Sequence, residues 1–370
     1  MTDGPWVLVT DGGEGQARSS LAAVRALGLG GYRAAVTVSG RFSLAGASRY
    51  CRRRVPVPLL AEQGYAASVR AELARGHYLV ALPSSDASLL ALGAPVGHLV
   101  DKAALTARAI DAGLPVPPTR VFAGRTEVLD SVSDLDFPVV VKPVISRFPA
   151  RRVGSPTELA DSFTDDVPVV VQPFLLDQLH AVAGVVWSGR LVAAVHQRYF
   201  RTWPPDCGTA CAAETIDGDP VLEERLLRVL HGYEGIFQAQ LAGPHLLDLN
   251  PRVYGSLPLA VAAGVNLVAI YCSLVQAPQS RRDPRLDIKP IRARPGVFYR
   301  WIEGDVRNLW DAVRTGRLPV PQALRQLRPR RGAAHSTESL QDPKPAIARL
   351  NHALRRSGNL GRTETNGSRP

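Results

Sequence analysis

The segment His245-Leu246-Leu247-Asp248-Leu249-Asn250-Pro251-Arg252 holds the densest chemistry in the chain. Read as a strand, it turns Asp248 and Asn250 to one face, two residues apart. A carboxylate beside an amide oxygen is a pair of hard donors suited to Mg²⁺. Gln240, on a preceding strand, can lie across from them as a third oxygen, and Arg252 just beyond can steady an anionic group bound there. The same Asp-x-Asn-Pro spelling equally suits a strand end entering a turn, with no chemistry attached.

The second signal is a scarcity. Of 44 basic residues only four are lysine: Lys102, Lys142, Lys289 and Lys344. A chain that uses arginine for generic surface charge keeps lysine where a compact ammonium is wanted, for instance against a phosphate. Lys102 and Lys142 are the two that fall in the first 280 residues. The formal charge of +11 is itself uneven: residues 281 to 370 carry 20 basic and 8 acidic side chains. The body of the chain is close to neutral, which argues against nucleic acid as a partner.

Other chemistries lack their residues. There is no Gly-x-x-x-x-Gly-Lys-[Ser/Thr] loop. Val139-Val140-Val141-Lys142 has the form of a kinase strand lysine, but His-Arg-Asp, Asp-Phe-Gly and Ala-Pro-Glu are all missing. Cys207-x-x-x-Cys211 has no second cysteine pair or spaced histidine pair to complete a zinc site. Gly13-x-Gly15-x-x-Arg18 lacks the third glycine of a dinucleotide turn and reads as an ordinary strand-to-helix turn. Four cysteines and the start Met1-Thr2-Asp3-Gly4 suggest a reducing, cytoplasmic setting.

The elements that must position these residues fall into units. Short apolar runs at Trp6 to Thr10, Ala34 to Val38, Val55 to Leu60 and Tyr78 to Leu82 alternate with helical segments, the pattern of a parallel α/β sheet. Asp101 can cap a helix that Gly113 stops, after which Pro115, Pro117 and Pro118 force extended chain. Strands carrying Lys142 and Gln172 follow, the second closed by Pro173. Further strands are expected at Ala181 to Trp187, Leu191 to Arg198, Gly235 to Leu241 and His245 to Asn250, with a helix opened by Asp219-Pro220. Leu257 to Val275 has no charge, yet Pro258, Gly264 and Asn266 break it into two buried helices, so no membrane span is expected. Beyond Gly332 the polar, arginine-rich chain reads as a disordered tail.

In order and spacing these segments resemble the ATP-grasp superfamily over residues 1 to 276, on Asp101-Lys102 and Gly113-Leu114-Pro115-Val116-Pro117, Phe137-Pro138-Val139-Val140-Val141-Lys142-Pro143, Val169-Val170-Val171-Gln172-Pro173-Phe174, Gly235-Ile236-Phe237-Gln238-Ala239-Gln240, and Leu247 to Arg252. Ser84-Ser85-Asp86 and Asp342-Pro343-x-Pro345 point to a branch near carbamoyl-phosphate-synthetase-like carboxylate–amine ligases. The resemblance implies a Rossmann-like parallel sheet (residues 1–95), a small nucleotide lobe (96–172), a metal lobe (173–280), a basic extension (281–332) and the tail (333–370). It implies ATP and Mg²⁺, with a small-molecule carboxylate and amine as partners, amino acids among the candidates; a carboxylase or carbamoyl-forming enzyme and a non-catalytic nucleotide-binding regulator stay open beside the ligase. Lys102 and Lys142 would meet the phosphates, the backbone of Gln172, Pro173, Phe174 and Leu175 the adenine edge, and Gln240, Asp248 and Asn250 the metal. Arg252 would stabilise an acyl-phosphate, with Arg198 nearby. Asp86 and the Asp11 to Gly15 loop would face the cleft and help hold the acceptor. Two departures stand out: the turn after Lys142 has no glycine, and the metal set has one carboxylate. The oligomeric state is left open, a homodimer among the choices.

Overall fold

A computed structural model describes residues 4–11, 17–40, 42–277 and 289–363, with side chains to residue 354. Its first sheet is made by β1 (Trp6–Thr10), β2 (Arg33–Val38), β3 (Cys51–Pro56) and β4 (Tyr78–Pro83), interleaved with helices α1 (Arg18–Leu29), α2 (Leu44–Ala47) and α3 (Tyr65–Arg75). The order is β3-β2-β1-β4, parallel throughout. β3 starts four residues before the expected strand. It is an edge strand paired on one side, so it accepts exposed Arg52, Arg53 and Arg54, while Pro56 and Pro58 end it. α1 is buried on more than one face, because α2 and two later helices (Leu257–Ala262 and Leu267–Gln276) cover the side turned from the sheet.

Helices α4 (Asp86–Ala91), α5 (Gly97–Val100) and α6 (Lys102–Asp111) lead to a second, antiparallel sheet. It contains β5 (Arg120–Phe122), β6 (Val139–Pro143), β7 (Arg151–Val153) and β8 (Val169–Pro173), in the order β5-β8-β6-β7, flanked by α7 (Arg125–Asp130) and α8 (Pro156–Ser162). Phe122, Val128, Val139, Val141, Leu159 and Val171 form its own small core.

The third sheet is the largest. β9 (Leu179–Trp187), β10 (Arg190–Trp203) and β11 (Thr209–Ile216) form a meander; after α9 (Pro220–Val229) come β12 (Gly235–Ala242) and β13 (His245–Asn250). α10 (Leu257–Ala262) and α11 (Leu267–Gln276) split the uncharged run at Gly264, whose φ of +95° suits glycine. No helix among the described residues is long and apolar enough to cross a membrane. Both helices bury against α1 and the backs of β9 and β10, in a core shared by Val7, Leu27, Val185, Val195, Leu257 and Val268.

The last part adds β14 (Ile291–Arg292), β15 (Phe298–Arg300), α12 (Ile302–Arg314), α13 (Val320–Gln326), β16 (Ala334–His335) and α14 (Lys344–Thr363). β15 extends the large sheet beside β11, and β16 pairs with β15. For residues 333 to 363 this corrects the disordered tail expected from the sequence. Composition hid the partners: Asp342, 1% exposed, accepts from Arg25 Nε at 2.9 Å, Ser48 Oγ at 2.7 Å and the Arg49 amide at 2.9 Å, and Arg349 pairs with Glu303 at 3.0 Å. Asn366 to Pro370 lie outside the described residues, as do Gly12 to Gln16.

Candidate functional site

Lys142 stands near the end of β6, a strand of alternating-face valines buried on both sides. Lys102 is the first residue of α6; Asp101 caps that helix through the Ala104 amide at 2.9 Å, and the Lys102 amide itself donates to Val144 O at 3.0 Å. Two elements far apart in sequence are thereby pinned side by side. Their ammonium groups converge on β13: Lys102 Nζ lies 3.6 Å from Asp248 Oδ1, and Lys142 Nζ donates to Leu247 O at 3.0 Å. Burial lowers the Lys142 ammonium from its ordinary range to about 8; Asp248 pulls it up and Lys102 pushes it further down.

The antiparallel register sets Gln240 directly across from Asp248 and Gln238 across from Asn250. Arg252, two residues past β13, donates through Nη2 to Asn250 Oδ1 at 2.5 Å and through Nε to Asp86 Oδ1 at 2.6 Å. Asp86 also accepts from Ser146 Oγ at 2.7 Å, and Ser146 takes a bond from Lys102 Nζ at 3.4 Å. Burial alone would raise the Asp86 carboxyl; Arg252, Ser146 and Lys102 outweigh it and hold the group below the usual carboxylate range. Asp86, at the carboxyl end of parallel strand β4, thus joins the first sheet to the residues of the third.

Between the second and third sheets lies a cavity of about 530 Å³. Lys102, Lys142, Gln172, Pro173, Phe174, Leu175, Gln240, Asp248, Asn250 and Arg252 all line it. The strand-to-strand link is held at its start, with the Phe174 amide donating to Pro138 O at 2.9 Å and Gln172 Nε2 to Thr119 Oγ1 at 2.8 Å. Arg198 is the exception. It sits on the β10 face opposite Tyr199, pairs with Glu214 at 3.3 Å and stacks over Phe200, away from the cavity. Strand alternation explains this: Tyr199 lines the cavity and its neighbour cannot.

Sequence reading missed the hairpin between β10 and β11. Trp203, Pro204, Asp206, Cys207, Gly208 and Thr209 all line the cavity, and burial pushes the Cys207 thiol up to about 11. Nothing local marks these residues; their role arises from pairing across the large sheet. The glycine-free turn after Lys142 also forms cavity wall, anchored by Phe148 stacking on Phe163 at 5.6 Å. The donors at β12 and β13 are all oxygens with one carboxylate, a set that fits Mg²⁺ when phosphates supply the remaining negative charge.

No family model matches the chain, and no curated protein matches its sequence. Solved structures do match its fold. The L-amino acid ligase from Bacillus licheniformis superposes with a TM-score of 0.56 at 15% identity, covering 78% of this chain and 78% of that one. The N5-carboxyaminoimidazole synthetase from Staphylococcus aureus, complexed with ADP, gives 0.58 at 12% identity, with 80% and 81% covered. Biotin carboxylase from Campylobacter jejuni gives 0.55 at 14% identity, with 73% and 70% covered. These are ATP-grasp enzymes, and the chain has the ATP-grasp fold.

Proposed function

We propose that the chain is an ATP-dependent carboxylate–amine ligase that forms an amide or peptide bond through an acyl-phosphate. The observation that carries this reading is convergence: phosphate-suited lysines from α6 and β6, the β8–β9 link and the β12–β13 oxygen donors line one cavity. In this reading the second sheet is a nucleotide lobe and the third a metal lobe. The adenine lies along the backbone of Gln172 to Leu175, and the triphosphate runs toward Lys102 and Lys142. Gln240, Asp248 and Asn250 would hold Mg²⁺, which supplies charge neutralisation on the phosphates when bound.

A carboxylate oxygen of the substrate attacks the γ-phosphorus and ADP leaves. Arg252, oriented by Asp86, offers its guanidinium to the charge that develops on the acyl-phosphate. The amine then attacks the acyl carbon, phosphate departs and the amine proton passes to solvent. Asp248→Asn is nearly isosteric and removes the only carboxylate of the donor set. It should slow amine-dependent ADP release by about a hundredfold while circular dichroism shows an intact fold; a wild-type rate would place the metal elsewhere. A nucleotide-binding regulator without turnover is the second reading. The lone carboxylate, already beside Lys102, favours it, and a wild type that binds ATP yet releases no ADP with any carboxylate–amine pair supplied would establish it.

A further inference from the structure

Arg18 opens α1, the 12-residue helix that follows β1 and has no acid in its first turn. A cation there faces the positive end of the helix dipole, so local helix stability does not explain it. Its guanidinium lies 3.7 Å over the Trp301 ring, donating to Tyr299 Oη at 3.1 Å and Thr209 Oγ1 at 2.7 Å. Stacking and two hydroxyls thus fix its plane, while an arginine has five N–H donors to offer. Among the described residues no carboxylate pairs with it. Glu303, which feels Arg18 from a distance, is engaged by Arg349 at 3.0 Å and Arg307 at 2.8 Å.

The place matters as much as the charge. Thr209 is exposed and lines the cavity. Gly255, three residues past Arg252, packs against Arg18: a Cβ there would touch the guanidinium carbon at an ordinary contact distance of 3.5 Å. Tyr299, which accepts from Arg18, donates to Gly255 O at 3.2 Å. A pre-oriented guanidinium that no acid among the described residues pairs with thus stands between the cavity wall and the turn that carries Arg252. In an open parallel sheet, ligands bind beyond the carboxyl ends of the strands, where α1 begins.

We propose that Arg18 is a substrate-binding residue that clamps a carboxylate of the ligase's substrate. The inference rests on the ligase reading and adds to it the group that selects an acidic substrate. A mere tie between α1, β11 and β15 would use the same two hydroxyls but would not discriminate a carboxylate from an amide.

The test is thermal melting of the full chain with Mg·ADP and a panel of acetate, benzoate and the proteinogenic L-amino acids, each beside its carboxamide. Wild type should be shifted by at least one carboxylate and not by its amide. Arg18→Gln should keep the ADP shift and weaken carboxylate binding by about tenfold to a hundredfold, with Arg18→Lys between the two. If Arg18→Gln does not fold, Thr209→Val should weaken the carboxylate response and spare that to ADP. A wild type that answers to ADP but treats every acid and amide alike overturns this proposal alone, as does a carboxylate shift retained in Arg18→Gln. A wild type that answers to no nucleotide overturns the ligase reading beneath it.

Discussion

Lys142 carries a burial cost that Asp248 offsets in part and a ligand's negative charge offsets further. Burial brings its folded pKa to about 8, below its unfolded value, so the unfolded chain binds more protons between pH 8 and its ordinary range near 10.5. Its unfavourable contribution to stability is therefore full below pH 8 and fades as pH rises. In the ligand-free protein at pH 8 it is about half charged, and a triphosphate beside it restores the full charge. ATP binding at that pH should take up about half a proton, seen as a binding enthalpy that varies with buffer ionisation enthalpy, and Lys142→Met should abolish the dependence. Equal enthalpies in all buffers would contradict the placement. Asp86 is the other residue of consequence. Asp86→Asn releases Arg252 Nε and should lower turnover by about tenfold or more, since misoriented groups lose effective molarity. ATP affinity should stay within about threefold, because Asp86 faces Arg252 and Ser146; an equal loss in both would make Asp86 a nucleotide residue. Scarcity and spacing singled out Lys102, Lys142, Asp248 and Asn250 beforehand, and all four line the cavity. The Asp86–Arg252 contact was not legible in the sequence, because its partners are 166 residues apart.

At the scale of elements, signals carried by the backbone read well, and signals carried by distant partners did not. Asp101, Gly113, Gly264 and Asp219-Pro220 mark helix starts and stops that the structure reproduces within a residue or two. The C-terminal segment read as a tail because no local pattern reports that Asp342 will meet Arg25, Ser48 and Arg49. Asp342→Ala should destabilise the protein by about 3 kcal/mol, since it strands the largely buried Arg25 charge. Burial raises the Asp342 carboxyl, but Ser48, the Arg49 amide and Arg25 together hold it below its ordinary value. A depressed folded pKa gives stability that is present above the unfolded value near 4 and lost as pH falls through the folded one. Wild type should therefore lose more melting temperature than Asp342→Asn on acidification from about pH 5 to pH 3. Parallel curves would remove Asp342 from the account.

Across the whole molecule, the arrangement among the described residues is three sheets with a cavity between the second and third, and the first sheet reaching it through Asp86 and Arg18. The basic extension is part of this body, for β14 pairs with β10 and β15 with β11. The central claim is that ATP's terminal phosphoryl passes to a carboxylate before an amine arrives. It is tested by supplying carboxylates labelled with ¹⁸O in the carboxyl group, together with Mg·ATP and hydroxylamine as a general amine. Breaking the acyl-phosphate by attack at carbon leaves one carboxylate oxygen on phosphorus, so each phosphate released should carry one ¹⁸O. Phosphate free of label, its new oxygen drawn from water, would contradict the account.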